Sequence, residues 1–306
     1  MENRIIRRIG QAIARWLTYE PTPPADTVLL LNFDRLCYEI RPGDVILVEG
    51  RSRVSNVIKQ ITQSPWTHSA LYIGRLYDIE DPALRERVEA HIDVAPETQL
   101  ILESLLDEGT VIHPLSKYRR EHLRICRPSG LSPQDARKVI AYTLERLGTG
   151  YDMRQLFDLA RFLFPYGILP RRWRSSLFRH NAGDPTRTVC STLLAEAFQS
   201  VRFPLLPFAE RIDGERIHLH QRNPRLVSPR DFDYSPYFDI IKYPLFGRDD
   251  VAVYRHLPWQ DTDVVCNDLN DCFRAVAAEA GDPPKPARRA PRVNLLQTTP
   301  PQGDRA

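Results

Sequence analysis

Cys190 stands near the start of VCSTLLAEAFQSV (Val189–Val201), a segment whose apolar spacing predicts an amphipathic helix. Backbone amides and the helix dipole at such a position favour a thiolate. A free thiol with a pKa near 8.5 is only a few per cent ionised at neutral pH, whereas a helix N-terminus and a neighbouring imidazolium bring it to about 3.5–7.5. That shift turns an inert thiol into a nucleophile, although a cysteine on a helix is more often a small buried hydrophobe. His68 lies in PWTHSALYIG, where a period of two puts His68, Ala70 and Tyr72 on one strand face and Ser69, Leu71 and Ile73 on the other. Glu103 sits in a further apolar strand, LILES, where an acid is costly to bury unless it is paired. It is placed to orient His68, and a nucleophile, base and orienter need proximity in space rather than in sequence.

Other candidates read as structural. His218 and His220 in HLH share one strand face as a metal pair would, but no third ligand is evident and a solvated loop is the expectation. Cys266 and Cys272 have the wrong interval for a zinc clip and lie next to an expected acidic helix. With Cys37, Cys126 and Cys190 they make five scattered cysteines without CxxC, so neither a disulfide framework nor a metal site is expected. RRWR (Arg171–Arg174) has the guanidinium groups to grip phosphate or anionic lipid, against a plain basic loop as the simpler reading.

These residues need elements to hold them. RPGDVILVEG offers a turn at Pro42-Gly43 and a strand over Val45–Val48, and Ser52 caps a short helix. Strands follow at His68–Gly74, Leu100–Ser104, Thr110–His113 and Leu123–Cys126, with a charged, partly helical loop at Asp78–Ala90. A helix runs from the cap at Ser132 through Leu147 and ends at Gly148 and Gly150; YDMRQLFDLARFLF (Tyr151–Phe164) is another. FPYGILPRRWRSSLFRH suits a surface loop or lid, and DVAVYRH (Asp250–His256) a closing strand. Strands clustered before helices indicate an α+β layout. At the N-terminus, Arg4–Leu17 forms a cationic amphipathic helix, which either docks on the domain or lies in a membrane interface, followed by the proline-rich YEPTPPAD. Beyond Gly281 the chain is rich in Pro and charge and is expected to be disordered. The expected domains are therefore 1–27, helix and linker; 28–260, the main domain; and 261–306, a short helix and tail.

The chain has 306 residues, 42% hydrophobic and 26% charged, which suits a soluble globular protein. A net charge of +3 without a basic stripe argues against nucleic acid. With no secretory h-region and no apolar run of membrane-spanning length, the default address is the cytoplasm, with peripheral membrane contact through Arg4–Leu17 as an option.

Read in order, RPGDVILVEG, SPWTHSALYIG, ILES with GTVIHPLSKY, RLGTGYD and CSTLLAEAF resemble the permuted NlpC/P60 group, the YiiX/YaeF-like papain-fold amidases, over roughly Arg41–Gln199. The resemblance implies a circularly permuted papain-like fold, a small antiparallel β core packed against helices, with the histidine strand ahead of the cysteine helix. It implies Cys190 as nucleophile, His68 as base and then acid, Glu103 as orienter, and Tyr151 lining the site. Trp66 and Ser191 are expected to line it too, and the Cys190 amide is an oxyanion donor on the general logic of helix N-termini. The implied reaction is hydrolysis of a peptide-like amide or related acyl bond through a thioester, with no metal or cofactor. Two rivals remain: a lipid acyltransferase or phospholipase of the lecithin:retinol acyltransferase type, and a non-catalytic binding module on the same fold.

Overall fold

The structure is a computed structural model and describes residues 19–21, 28–105, 108–149, 190–212, 216–259, 264–268 and 271–274. The expected helix at Arg4–Leu17, the Tyr151–Phe164 helix, the RRWR segment, Tyr151 itself and the tail after Gly281 lie outside them. The chain divides into two units, Met1–Gly247 and Arg248–Ala306.

The first unit is built on a six-stranded sheet. Its strands are β1 (Val45–Glu49), β2 (His68–Arg75), β3 (Gln99–Leu105), β4 (Gly109–Pro114), β5 (His122–Pro128) and β8 (Phe238–Ile241), in the order β4-β3-β2-β1-β5-β8. Every neighbouring pair is antiparallel. Helices α1 (Phe33–Glu39), α2 (Arg53–Thr62), α3 (Pro82–Glu89), α4 (Pro133–Leu144), α5 (Cys190–Ser200) and α6 (Pro229–Tyr234) complete the unit, with a hairpin of β6 (Phe208–Ile212) and β7 (Arg216–His220). Mixed helix and antiparallel sheet is the α+β class expected from the sequence.

Strand alternation sorts the core into two layers. On one face Val45, Leu47, Leu71, Ile73, Leu100 and Leu102 pack with Val139, Leu144 and the α5 residues Leu193, Leu194 and Phe198. On the other, Ile46, Val48, Ala70, Tyr72, Ile101 and Ile125 pack with Phe33 and Leu36 of α1. Helix α5 is buried on eight of its eleven residues, so it is a central helix between the sheet and its neighbours rather than an amphipathic surface one.

The expected caps form. Ser52 accepts from the Ser55 amide and Ser132 from the Asp135 amide. Pro42 and Gly43 make the turn into β1, and Gly43, at φ +94°, occupies a conformation that a side chain would strain. Helix α1 was not legible in the sequence as a separate element; Asn32 caps it through the Arg35 amide.

Two sequence expectations fail. Asp250–His256 is not a strand: α7 (Arg248–Ala252) and a 3-10 turn (Tyr254–His256) occupy it. The sheet edge is already filled by β8, and Val251 and Val253 are both exposed, so a two-residue alternation had no surface to bury. Cys266 and Cys272 lie on a hairpin of β9 (Val264–Asp268) and β10 (Asp271–Arg274), directly opposite each other, and Cys266 is disulfide-bonded. The β-branched Val264 and Val265 suit the start of β9.

Candidate active site

His68 opens β2 at the end of the sheet. The approach to it is tied down by Thr67, whose hydroxyl accepts the Gly50 amide at 2.9 Å. Glu103, two strands' width from β1 on β3, is 1% exposed. Its Oε2 lies 2.6 Å from His68 Nε2 and also accepts from the Tyr118 hydroxyl. Its Oε1 accepts from His113 Nδ1 at 2.8 Å and Lys117 Nζ at 2.8 Å. A carboxylate with four donors is fully satisfied, and these bonds with the charges of His68 and Lys117 overcome its burial and hold its pKa well below the ordinary value.

His113, Lys117 and Tyr118 were given no role from the sequence. All three lie in GTVIHPLSKY, where β4 ends at Pro114 and a 3-10 turn (Leu115–Tyr118) folds the next residues back over β3. The signal was the concentration of donors directly after a strand that pairs with Glu103, which stands opposite Val111.

Cys190 is the first residue of α5 and is buried. Its thiol and the His68 imidazole are electrostatically coupled, each favouring the charged form of the other. His68 Nε2 is committed to Glu103, which leaves Nδ1 for other partners. Burial pushes the thiol up, but the charge and hydrogen bond of His68 and the donors of Ser69 bring its pKa below the ordinary thiol value. Burial likewise disfavours charge on His68, yet Cys190 and then Glu103 raise it to about 10. Between these two ionisations the pair exists as thiolate and imidazolium.

The remaining expected site residues are held elsewhere. Ser191 donates its hydroxyl to the Val227 carbonyl at 2.7 Å, tethering α5. Trp66 donates Nε1 to Asp233 at 3.2 Å, and Arg124, itself 2.6 Å from Asp233, covers the ring at 4.6 Å. It braces β2, β5 and α6 together. His218 and His220 lie on strand β7 rather than in a loop, exposed, with His220 Nε2 3.1 Å from Glu210. Among the described residues no group of three or more His, Cys, Asp and Glu is placed to hold a metal. A cavity of about 520 Å³ lined by Phe203, Leu205, Leu219 and Arg222 lies at the C-terminal end of α5, the opposite end from Cys190.

A histidine strand preceding a cysteine helix, with the two side chains joined against an antiparallel sheet, is the arrangement of a permuted papain-like protein. Residues 39–160 match the family described as permuted papain-like amidase enzyme, YaeF/YiiX, C92 family. Over this span the chain is similar to the permuted papain-like amidases. The matched span contains His68 and Glu103 and ends before Cys190. A solved structure described as the metalloprotein yiiX from Escherichia coli O157:H7 is similar at 16% identity with a TM-score of 0.41, over 66% of this chain and 97% of that one. No curated protein matches. No helix among the described residues is long and apolar enough to cross a membrane.

Proposed function

We propose that the protein hydrolyses a peptide-like amide through a thioester on Cys190, with His68 as acid and base and Glu103 as orienter. The family is one of papain-like amidases, which supports a cysteine hydrolase in general. The observation that carries the particular reading is the continuous chain Cys190–His68–Glu103, in which the thiol is lowered and the imidazole raised.

The Cys190 thiolate attacks the carbonyl carbon, and the oxyanion that forms is held by the free amides at the start of α5, that of Cys190 among them. The C–N bond breaks as His68 Nδ1 passes its proton to the leaving amine, which departs. Water then attacks the thioester, giving its proton back to the same nitrogen, and the acid leaves as the thiolate reforms. Glu103 keeps Nε2 protonated throughout, so Nδ1 is always the working nitrogen. Tyr151 is assigned to the lining of this site on the family resemblance alone.

The test is turnover of N-acyl amino acid amides and short peptides by the purified full-length protein and by Cys190→Ala. Release of amine by wild type, absent in the variant, is the expected result. Release of fatty acid from phospholipid vesicles without any amide turnover would sink the amidase reading in favour of lipid acyl chemistry.

A further inference from the structure

Ser69 is fully buried, and its hydroxyl makes no hydrogen bond of regular geometry within the fold. The other hydroxyls on its face of the sheet are satisfied: Ser104 Oγ lies 2.8 Å from Thr110 Oγ1, which lies 3.1 Å from Thr149 Oγ1. A buried hydroxyl left out of such a network costs stability unless another group engages it.

The Ser69 amide is equally exceptional. Tyr72 donates its amide to Asp44 across β1 and β2. Alternation along the strand then turns the Ala70 amide toward β1 and the Ser69 and Leu71 amides toward β3. The β2–β3 pairing begins at Leu71, opposite Leu102, so the Ser69 amide points past the end of that ladder. The Ser69 side chain lies on the face of β2 that also carries Leu71, against which the cysteine helix α5 packs through Leu193 and Leu194, and Ser69 favours the ionised form of the Cys190 thiol.

We propose that Ser69 is a further catalytic residue, which holds the Cys190 sulfur as the thiolate through its backbone N–H and its side-chain O–H. This inference rests on the functional reading above and adds a residue to it. The hydroxyl turns about χ1 toward the sulfur while it carries charge and is released when the sulfur becomes a neutral thioester. Its proton stays on oxygen throughout, so no covalent step passes through Ser69. Because the hydroxyl has no other partner, removing it takes no bond from the fold.

The experiment is site-resolved alkylation of Cys190 by iodoacetamide across a pH series, read by mass spectrometry on full-length wild type, His68→Ala and Ser69→Ala, with thermal unfolding of each. Wild type is expected to label well below the range of an ordinary thiol and His68→Ala to lose that reactivity. In Ser69→Ala the labelling midpoint rises by about one pH unit, the scale of one hydrogen bond to a charged group, with a thermal midpoint equal to or above wild type. An unmoved midpoint in Ser69→Ala beside a lost one in His68→Ala removes Ser69 and leaves the Cys190–His68 pair standing. A marked loss of thermal stability in Ser69→Ala also overturns the inference, since the hydroxyl would then serve the fold. If wild-type Cys190 labels like an ordinary thiol, the pair and the inference fall together.

Discussion

Burying a carboxylate is costly, and Glu103 meets that cost with four donors, three of them on residues that carry positive charge when protonated. Its folded pKa is depressed, so the stability it contributes is complete above the ordinary carboxylate range and is lost as pH falls through the lower, folded value. His68 runs the other way: its charge is favoured in the fold, and that contribution is lost as pH rises through about 10. The rate should follow the same groups. We expect kcat/KM to rise with the ionisation of the pair at a pH below the ordinary thiol value and to fall near pH 10, where His68 loses its proton. Glu103→Gln removes the anion beside the imidazolium and so lowers its pKa. A pH profile of this variant should show the alkaline limb displaced to lower pH and kcat/KM reduced by about 100-fold, the scale of general acid-base catalysis. An alkaline limb that stays in place would separate Glu103 from the pair.

At the scale of elements, the GDV of RPGDVILVEG has a structural meaning. Asp44 is 2% exposed, accepts the Arg41 amide at 2.9 Å, and receives Arg127 of β5 through Nε at 3.0 Å and Nη2 at 2.8 Å. Arg127 Nη2 also reaches the Glu39 carbonyl at the end of α1, at 2.7 Å. One ion pair thus joins the start of β1, the adjacent β5 and α1 at the end of the sheet opposite His68. Asp44→Ala leaves a poorly exposed guanidinium without its anion, and the expected cost is about 3 kcal/mol or more, measured as a shift in urea midpoint without a change in slope. The site itself should survive this change when the folded fraction is assayed.

At the scale of the whole first unit, the packing converges on Phe198. It is fully buried on α5 and meets Phe203, Phe232 and Phe238 at centroid distances of 5.5, 6.4 and 5.4 Å, so the helix that carries Cys190 is anchored to α6 and β8. Phe198→Ala should cost about 3–5 kcal/mol, seen in thermal or urea unfolding, and any loss of activity at low temperature should track the folded fraction. The second unit carries a different constraint. Cys37, Cys126 and Cys190 are free, and Cys266 is bonded. Denatured, unreduced protein should therefore titrate two fewer thiols than the same protein after reduction. Disulfides persist in oxidising compartments and are reduced in the cytosol. The same titration on protein trapped by acid in its host cells therefore bears on the compartment.

Local chemistry was enough to write down β1 to β5, the caps at Ser52 and Ser132, the two faces of β2 and the candidates Cys190, His68 and Glu103, because period, capping and turn residues act within a few positions of themselves. Those signals say nothing about distance across the fold. The coupling of Cys190 with His68, the return of His113, Lys117 and Tyr118 onto Glu103, and the place of Ser69 at the end of the β2–β3 ladder are products of sheet order and register. Asp250–His256 and Cys266–Cys272 went astray for the same reason: which edge was already filled, and which segments faced each other, are decided by partners remote in sequence. Side-chain identity sets what each residue can do at short range, and only the packed sheet fixes which groups stand close enough for charge and hydrogen bonds to couple them.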